Sequence, residues 1–286
     1  MDGYFGQGTA TPAATPELAV PSSALLPRTR RRWLLPLLLC LLTLTVAATV
    51  VSVSRAKAVA APALRALSDP APAADGWGPS YVDTRGRPAR WDPCAPIHYV
   101  VSTAWAPPQG RADVTAALGQ ITRASGLRFV DDGDTDEVPL RSRSAYQPQR
   151  YGKRWAPLLV AWVPPARTDL GLGDGVQGVT VAVALAGRGG GSIVTAQVAL
   201  DADRRLGSGF GPGATEGEVL LHELAHAVGL GHVLDPTQVM YPQTTNSESR
   251  YGAGDRAGLV ALGRTAGCLP APPARLLQTS VFEPRP

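Results

Sequence analysis

The chain has 286 residues, enough for one or two domains with a sizeable core. Its formal net charge is +4 and 17% of its residues are charged, so it is neither a strongly basic nor a strongly acidic protein. Much of the positive excess sits at Arg28, Arg30, Arg31 and Arg32, beside an apolar run and without a recognition module, which argues against nucleic acid as a partner.

Residues 1–27 are rich in Pro, Ala, Thr and Gly and show no apolar period. With the basic flank they read as a disordered cytoplasmic tail over 1–32. Trp33 to Val53 then carry no charge. As a helix that run would span about 30 Å, the hydrocarbon thickness of a bilayer, and it is predicted as a single transmembrane segment. Pro36 falls in its first turn, where a missing N–H is tolerated. The arginines before it outnumber Arg55 and Lys57 after it, which places the N-terminus inside and the C-terminal mass outside. The alternative is a secretory signal cleaved after the small residues Ala58, Val59 and Ala60. The run is longer than an ordinary signal core and follows a long tail, so the anchor is preferred; both readings export the C-terminal mass.

Residues 54–75 are an Ala/Pro-rich stretch read as a linker, 76–270 as one domain and 271–286 as a C-terminal tail. Within the domain, residues 97–105 have the β-branched and aromatic content of a strand. Val114, Leu118 and Ile121 fall at helical spacing over 111–126, and a glycine stops the run. Residues 127–133 form a short strand entering an acidic turn, and 157–165 a buried strand bracketed by prolines. Residues 179–185 and 193–203 flank "AGRGGGS", which reads as a hairpin with a flexible loop. Helices follow over about 214–230 and 254–266. The order β-α-β-β-β-β-α-α predicts one α/β or α+β domain.

Cys40 lies in the apolar run, leaving Cys94 and Cys268 as the pair in the exported part. In an oxidising compartment two such cysteines pair, so a disulfide is expected.

The chemistry concentrates in "HELAHAVGLGH", residues 222–232, which holds three of the chain's four histidines. On a helix His222 and His226 are one turn apart and project from one face, the geometry that grips one metal ion from two points. Glu223 lies about 100° round from His222, able to reach a water on that ion without being a ligand. Gly229 supplies the freedom to end the helix and turn the chain back, and His232 returns as a third ligand. Three neutral imidazoles leave a fourth position for water, the open arrangement of catalytic zinc.

HExxHxxGxxH followed by a methionine is the metzincin signature, and "HVLDPTQVMYP" resembles the matrixin branch of that family. "IVTAQVALDAD" ahead of the helix and "GDRAGLVALG" after it are similar to the layout of bacterial matrixin-like domains, a likeness spanning roughly residues 91–269. Ala225 stands where many relatives carry glycine, and a small residue is kept. The resemblance implies a metzincin-like zincin domain with a five-stranded twisted mixed sheet, an active-site helix and a C-terminal helix. It implies His222, His226 and His232 as zinc ligands, Glu223 as general base and Met240 in a turn beneath the metal. It also implies that "VTVAVAL" is an edge strand pairing with an extended peptide or protein substrate, with Tyr241 and Pro242 walling the pocket. A monomer is expected.

Structural calcium occurs in related peptidases, and "DDGDTDE" at 131–137 invites that reading. An EF-hand loop starting at Asp132 would need glycine sixth and an acid twelfth, where the chain has Glu137 and Arg143. The run is therefore read as a solvated turn, His98 as a packed or partly exposed histidine, and Arg141, Arg143, Arg150, Lys153 and Arg154 as a solvated basic loop. Cys94 lacks the surroundings of a zinc-blocking propeptide cysteine. Taken together, these residues predict a membrane-anchored zinc endopeptidase. The rivals are a catalytically silent metal-containing binding module at the envelope, and an adhesion or scaffold domain without metal. Glu223 argues against the first and the histidine spacing against the second.

Overall fold

The computed structural model describes residues 65–66, 73, 76–83, 85–187, 190–244 and 249–274. The chain divides into two units, 1–59 and 60–286. The predicted membrane run lies in the first, outside the described residues. Among the described residues no helix is long and apolar enough to cross a membrane.

Two short strands open the second unit: β1 (Arg65–Ala66), inside the stretch read as linker, pairs antiparallel with β2 (Tyr81–Val82). The remaining elements are β3 (Ala89–Arg90), β4 (Ile97–Ser102), α1 (Gly110–Ser125), β5 (Phe129–Asp134), α2 (Pro148–Tyr151), β6 (Leu158–Val163), β7 (Gly178–Gly187), β8 (Gly190–Asp201), α3 (Glu216–Val228) and α4 (Ala253–Leu262). The predicted order of long elements is present.

The sheet has six strands, where five were expected. The five long ones run β7-β8-β6-β4-β5, with β7 antiparallel to β8 and the others parallel. The sixth, β3, is a two-residue parallel pairing with Gly191 and Ser192 of β8. A strand that short has no period to read, which is why the sequence does not announce it. The parallel strands β6 and β8 are buried at every position except the last of β8, as strands covered on both faces must be. Their apolar runs carry no alternation for that reason. Strand β5 is mostly exposed and lies at the sheet's edge, and β7 forms the opposite edge.

Helix α1 buries Val114, Ala117, Leu118 and Ile121 and ends at Gly126, which takes the left-handed φ of 72°. The hairpin is longer than its predicted strands: β7 and β8 run into the glycines until Gly187 pairs with Gly190. The last helix is shorter than predicted. At Gly263 the chain passes so close to α1 that a Cβ would lie 2.0 Å from the Ser125 carbonyl oxygen, and a 3-10 turn follows at Arg264–Ala266. Cys94 and Cys268 are joined, their Cα atoms 5.3 Å apart, tying the segment before β4 to the segment after α4. Asp92 reinforces this knot, its Oδ1 accepting from the Cys94 and Leu269 amides at 3.0 Å each.

Candidate metal centre

Helix α3 is the scaffold of the site. Thr215 caps it, accepting from the Glu218 amide at 3.2 Å, and Glu216 and Glu218 place negative charge in its positive first turn. Leu220, Leu221 and Leu224 are fully buried and lock the helix into the main core, so the histidine face is held rigidly. Gly229 ends the helix at φ 111°, its N–H reaching the Ala225 and His226 carbonyls. A Cβ there would stand 2.9 Å from the Ala89 carbonyl oxygen. Glycine therefore allows both the left-handed turn and the close passage of β3.

The turn brings His232 back to the helix. The Nε2 atoms of His222, His226 and His232 converge, at 3.1 Å from His226 to each of the other two and 3.2 Å between His222 and His232. His222 donates from Nδ1 to the Val239 carbonyl at 2.7 Å and His226 from Nδ1 to the Leu230 carbonyl at 2.6 Å. Those bonds fix the tautomers and leave the Nε2 lone pairs facing one another. Burial pushes His222 down to about 4, its Val239 bond opposing and His232 reinforcing the shift. Burial, then the neighbouring histidines, hold His226 well below the ordinary value. Imidazole nitrogens about 2.0–2.1 Å from a tetrahedral zinc ion stand about 3.3–3.4 Å apart. Three neutral nitrogen donors at nearly that spacing fit zinc.

Glu223 faces the edge strand. Thr180 of β7 places its hydroxyl 2.7 Å from the Glu223 Oε2 and 2.9 Å from the Glu223 carbonyl oxygen. Burial pushes the Glu223 carboxyl up to about 7, against the opposing Thr180 bond. Gly178 leaves room for it: a Cβ there would lie 2.6 Å from the Glu223 Cγ. A cleft of about 640 Å³ brings together the three histidines, Glu223, Glu218, β7 residues 178–180, Tyr241 and Pro242. The sequence-predicted residues thus share one site, with β7 along its edge.

Met240 is 1% exposed and packs in the main core. Its turn is held by Asp255 at the start of α4, whose carboxylate accepts from the amides of Val239 at 2.8 Å, Met240 at 3.3 Å and Gly252 at 2.9 Å. Because Val239 also receives the His222 bond, Asp255 orients a histidine through one intervening residue. Sequence reasoning missed Thr180, Gly178, Glu218 and Asp255. Glu218 and Asp255 left only a faint trace, each as an acid in the first turn of a helix.

Residues 153–262 match the family model Peptidase_M10, Matrixin. The match supports a matrixin-like metzincin domain over these residues. The match runs from just before β6 to the end of α4, so it contains the whole matrixin-like site and supports a zinc metallopeptidase acting on peptides or proteins. No curated protein matches the chain.

The charged runs outside the cleft depart from expectation only in part. Asp131, Asp132, Asp134 and Asp136 are exposed as expected, but they are ion-paired, and Glu137 is buried. Arg111 binds Asp131 and Asp134, His98 and Arg154 bind Asp132, Arg150 binds Asp136, and Arg143 binds Glu137. The basic loop is the counterpart of the acidic one, and its Arg143 is buried rather than solvated, with a side chain 4% exposed.

Proposed function

We propose that the chain is a zinc-dependent endopeptidase working outside the cytoplasm. It would be anchored through Trp33–Val53 with its N-terminus inside, the alternative being secretion after signal cleavage. The proposed layout is tail 1–32, anchor 33–53, linker 54–75, peptidase domain 76–270 and tail 271–286. The Cys94–Cys268 bond supports the oxidising side of the membrane.

His222, His226 and His232 would hold the ion, which when bound supplies Lewis acidity and acidifies water. An extended peptide would add to the free edge of β7, backbone to backbone, with Tyr241 and Pro242 closing the cleft beside the scissile bond. Glu223 takes the proton of the attacking water and returns it to the leaving amine. Its environment suits both steps: burial raises its proton affinity, and Thr180 keeps the carboxylate aimed. Met240 and Asp255 keep the floor rigid.

One observation carries the reading: three imidazole nitrogens converge at 3.1–3.2 Å on the cleft that also holds Glu223. The test incubates the purified full chain with a denatured-protein or peptide library. Internal cleavage that a chelator abolishes and added zinc restores is expected. Zinc binding without cleavage would instead favour the silent binding module.

A further inference from the structure

Ala73 and residues 76–82 lie outside the matched region, yet they run along the loop that carries the third histidine. The Ala73 amide donates to the His232 carbonyl at 3.2 Å, and the Leu234 amide donates back to the Ala73 carbonyl at 3.3 Å. The Gly231 amide donates to Gly78 at 2.7 Å, and the Ser80 amide donates to Gly229 at 2.8 Å. Four backbone bonds thus fasten this strap to 229–234, the turn from His226 to His232.

Side chains extend the contact to the ligands. The Ser80 hydroxyl donates to the Leu230 carbonyl, the same oxygen that receives the His226 Nδ1 proton, and its Oγ lies 3.4 Å from that nitrogen. One residue on, Tyr81 packs against the main core. The domain surface is shaped to receive the strap. A Cβ at Gly231 would stand 2.9 Å from the Pro79 carbonyl oxygen, one at Gly254 2.0 Å from that of Gly76, and one at Gly258 2.9 Å from the Trp77 ring. Methyls at Gly231 and Gly254 would force the strap away, while one at Gly258 would first meet the Leu230 side chain at 2.4 Å.

We infer that Ala73 and residues 76–82 form a positioning strap of the metal centre, with Ser80 orienting His226 through the Leu230 carbonyl and the Ala73 and Gly78 contacts fixing the His232 loop. The inference rests on the proposed zinc site. Groups that orient a metal-binding histidine through its second nitrogen typically change metal affinity by about 10–100-fold. A bonded loop also loses less conformational freedom when its histidine binds.

The experiment uses the full chain with Ser80→Ala, Ser80→Thr and Gly254→Ala. Gly254→Ala touches no ligand and favours helix by intrinsic propensity, and its new methyl would meet the strap at the Gly76 carbonyl. Zinc affinity is measured by chelator competition, the zinc-dependent rise in melting temperature is recorded against the chelated form, and cobalt(II) is substituted for its visible spectrum. Ser80→Ala and Gly254→Ala should bind zinc about tenfold or more weakly and show a smaller zinc-dependent rise in Tm. Ser80→Ala should also shift the cobalt bands, and Ser80→Thr should restore them. Parental zinc affinity and cobalt spectrum in both Ser80→Ala and Gly254→Ala would overturn the strap while leaving the peptidase reading intact. A parent that binds no zinc would overturn both.

Discussion

The metal cleft and the charged lattice of residues 131–154 each gather ionisable side chains, but the two handle burial in opposite ways. In the cleft burial wins: His222 is pushed down to about 4 and Glu223 up to about 7, both toward their neutral forms. In the lattice burial also pushes Glu137 upward, but Arg143, through its hydrogen bonds and charge, together with Tyr151 and Gln147, outweighs it and holds the carboxyl below the ordinary value. Charges compensated within the chain serve stability. Lone pairs and a carboxylate brought together with no cationic side chain among the described lining residues serve chemistry with an added charge.

The largest expected effects lie in the cleft, where they separate metal binding from proton transfer. Glu223→Ala should keep about one zinc per chain and lose about 10²–10⁴-fold or more of its hydrolytic rate. His226→Ala should lose both activity and metal, because two imidazoles rarely retain zinc. Metal analysis after dialysis, beside peptide-hydrolysis rates, distinguishes the two. Parental turnover by Glu223→Ala would end the general-base assignment.

In the lattice the comparable break costs stability instead. The Arg143 Nε is 3.0 Å from Glu137, and the side chains are 4% and 8% exposed. Arg143→Ala should therefore destabilise the fold by about 3–5 kcal/mol, read by denaturant unfolding, since it strands a buried carboxylate. Zinc content should be unchanged. The pH dependence follows from the depressed Glu137 value. Its contribution is fully present above the ordinary glutamate value of 4.5 and is lost as pH falls through the lower folded value. In Arg143→Ala that acid-side loss should shrink, which unfolding curves at several pH values would measure.

Gly178→Ala tests whether the carboxylate's position matters as well as its presence. The new methyl would lie 2.6 Å from the Glu223 Cγ, so Glu223 must leave its Thr180 contact. Misplacement of a reacting group by about 1 Å can cost about 10²-fold. The expected result is a fall in kcat of about that size with zinc affinity retained. Unchanged kcat would show that Glu223 tolerates displacement.

These contrasts also explain what could be read from the sequence. The histidine triad was legible because helical periodicity is local: four residues fix one face, and Gly229 announces the turn. The partners of that triad were not. Thr180 meets Glu223 across 43 residues and Ser80 approaches His226 across 146, and neither carries a motif. The apolar strands were legible from composition. Strand β3 and the strap are short and bonded through backbone, so side-chain patterns say nothing of them. The two charged runs were visible, but which arginine faces which acid depends on α1, β5 and α2 meeting in space, so a lattice read as two solvated loops. Cys94 and Cys268 paired as expected because elimination left one choice.

The smallest effect should come from the lattice's exposed end, and it sharpens the point that burial, more than charge, sets the size of the loss. Arg111 of α1 binds Asp131 through Nη2 at 2.7 Å and also pairs with Asp134 of β5. Its side chain is 36% exposed, and those of the two acids are 38% and 63% exposed. Water already solvates all three groups, so removing the guanidinium strands no dry charge. Arg111→Ala should cost about 0–1 kcal/mol, and the difference from the parent should shrink in high salt, where exposed pairs are screened. The Arg143→Ala loss should persist there. Denaturant midpoints for both variants at low and high ionic strength provide the test. A loss from Arg111→Ala equal to that from Arg143→Ala, and equally resistant to salt, would mean that the lattice acts as one cooperative network rather than as a buried pair with a solvated fringe.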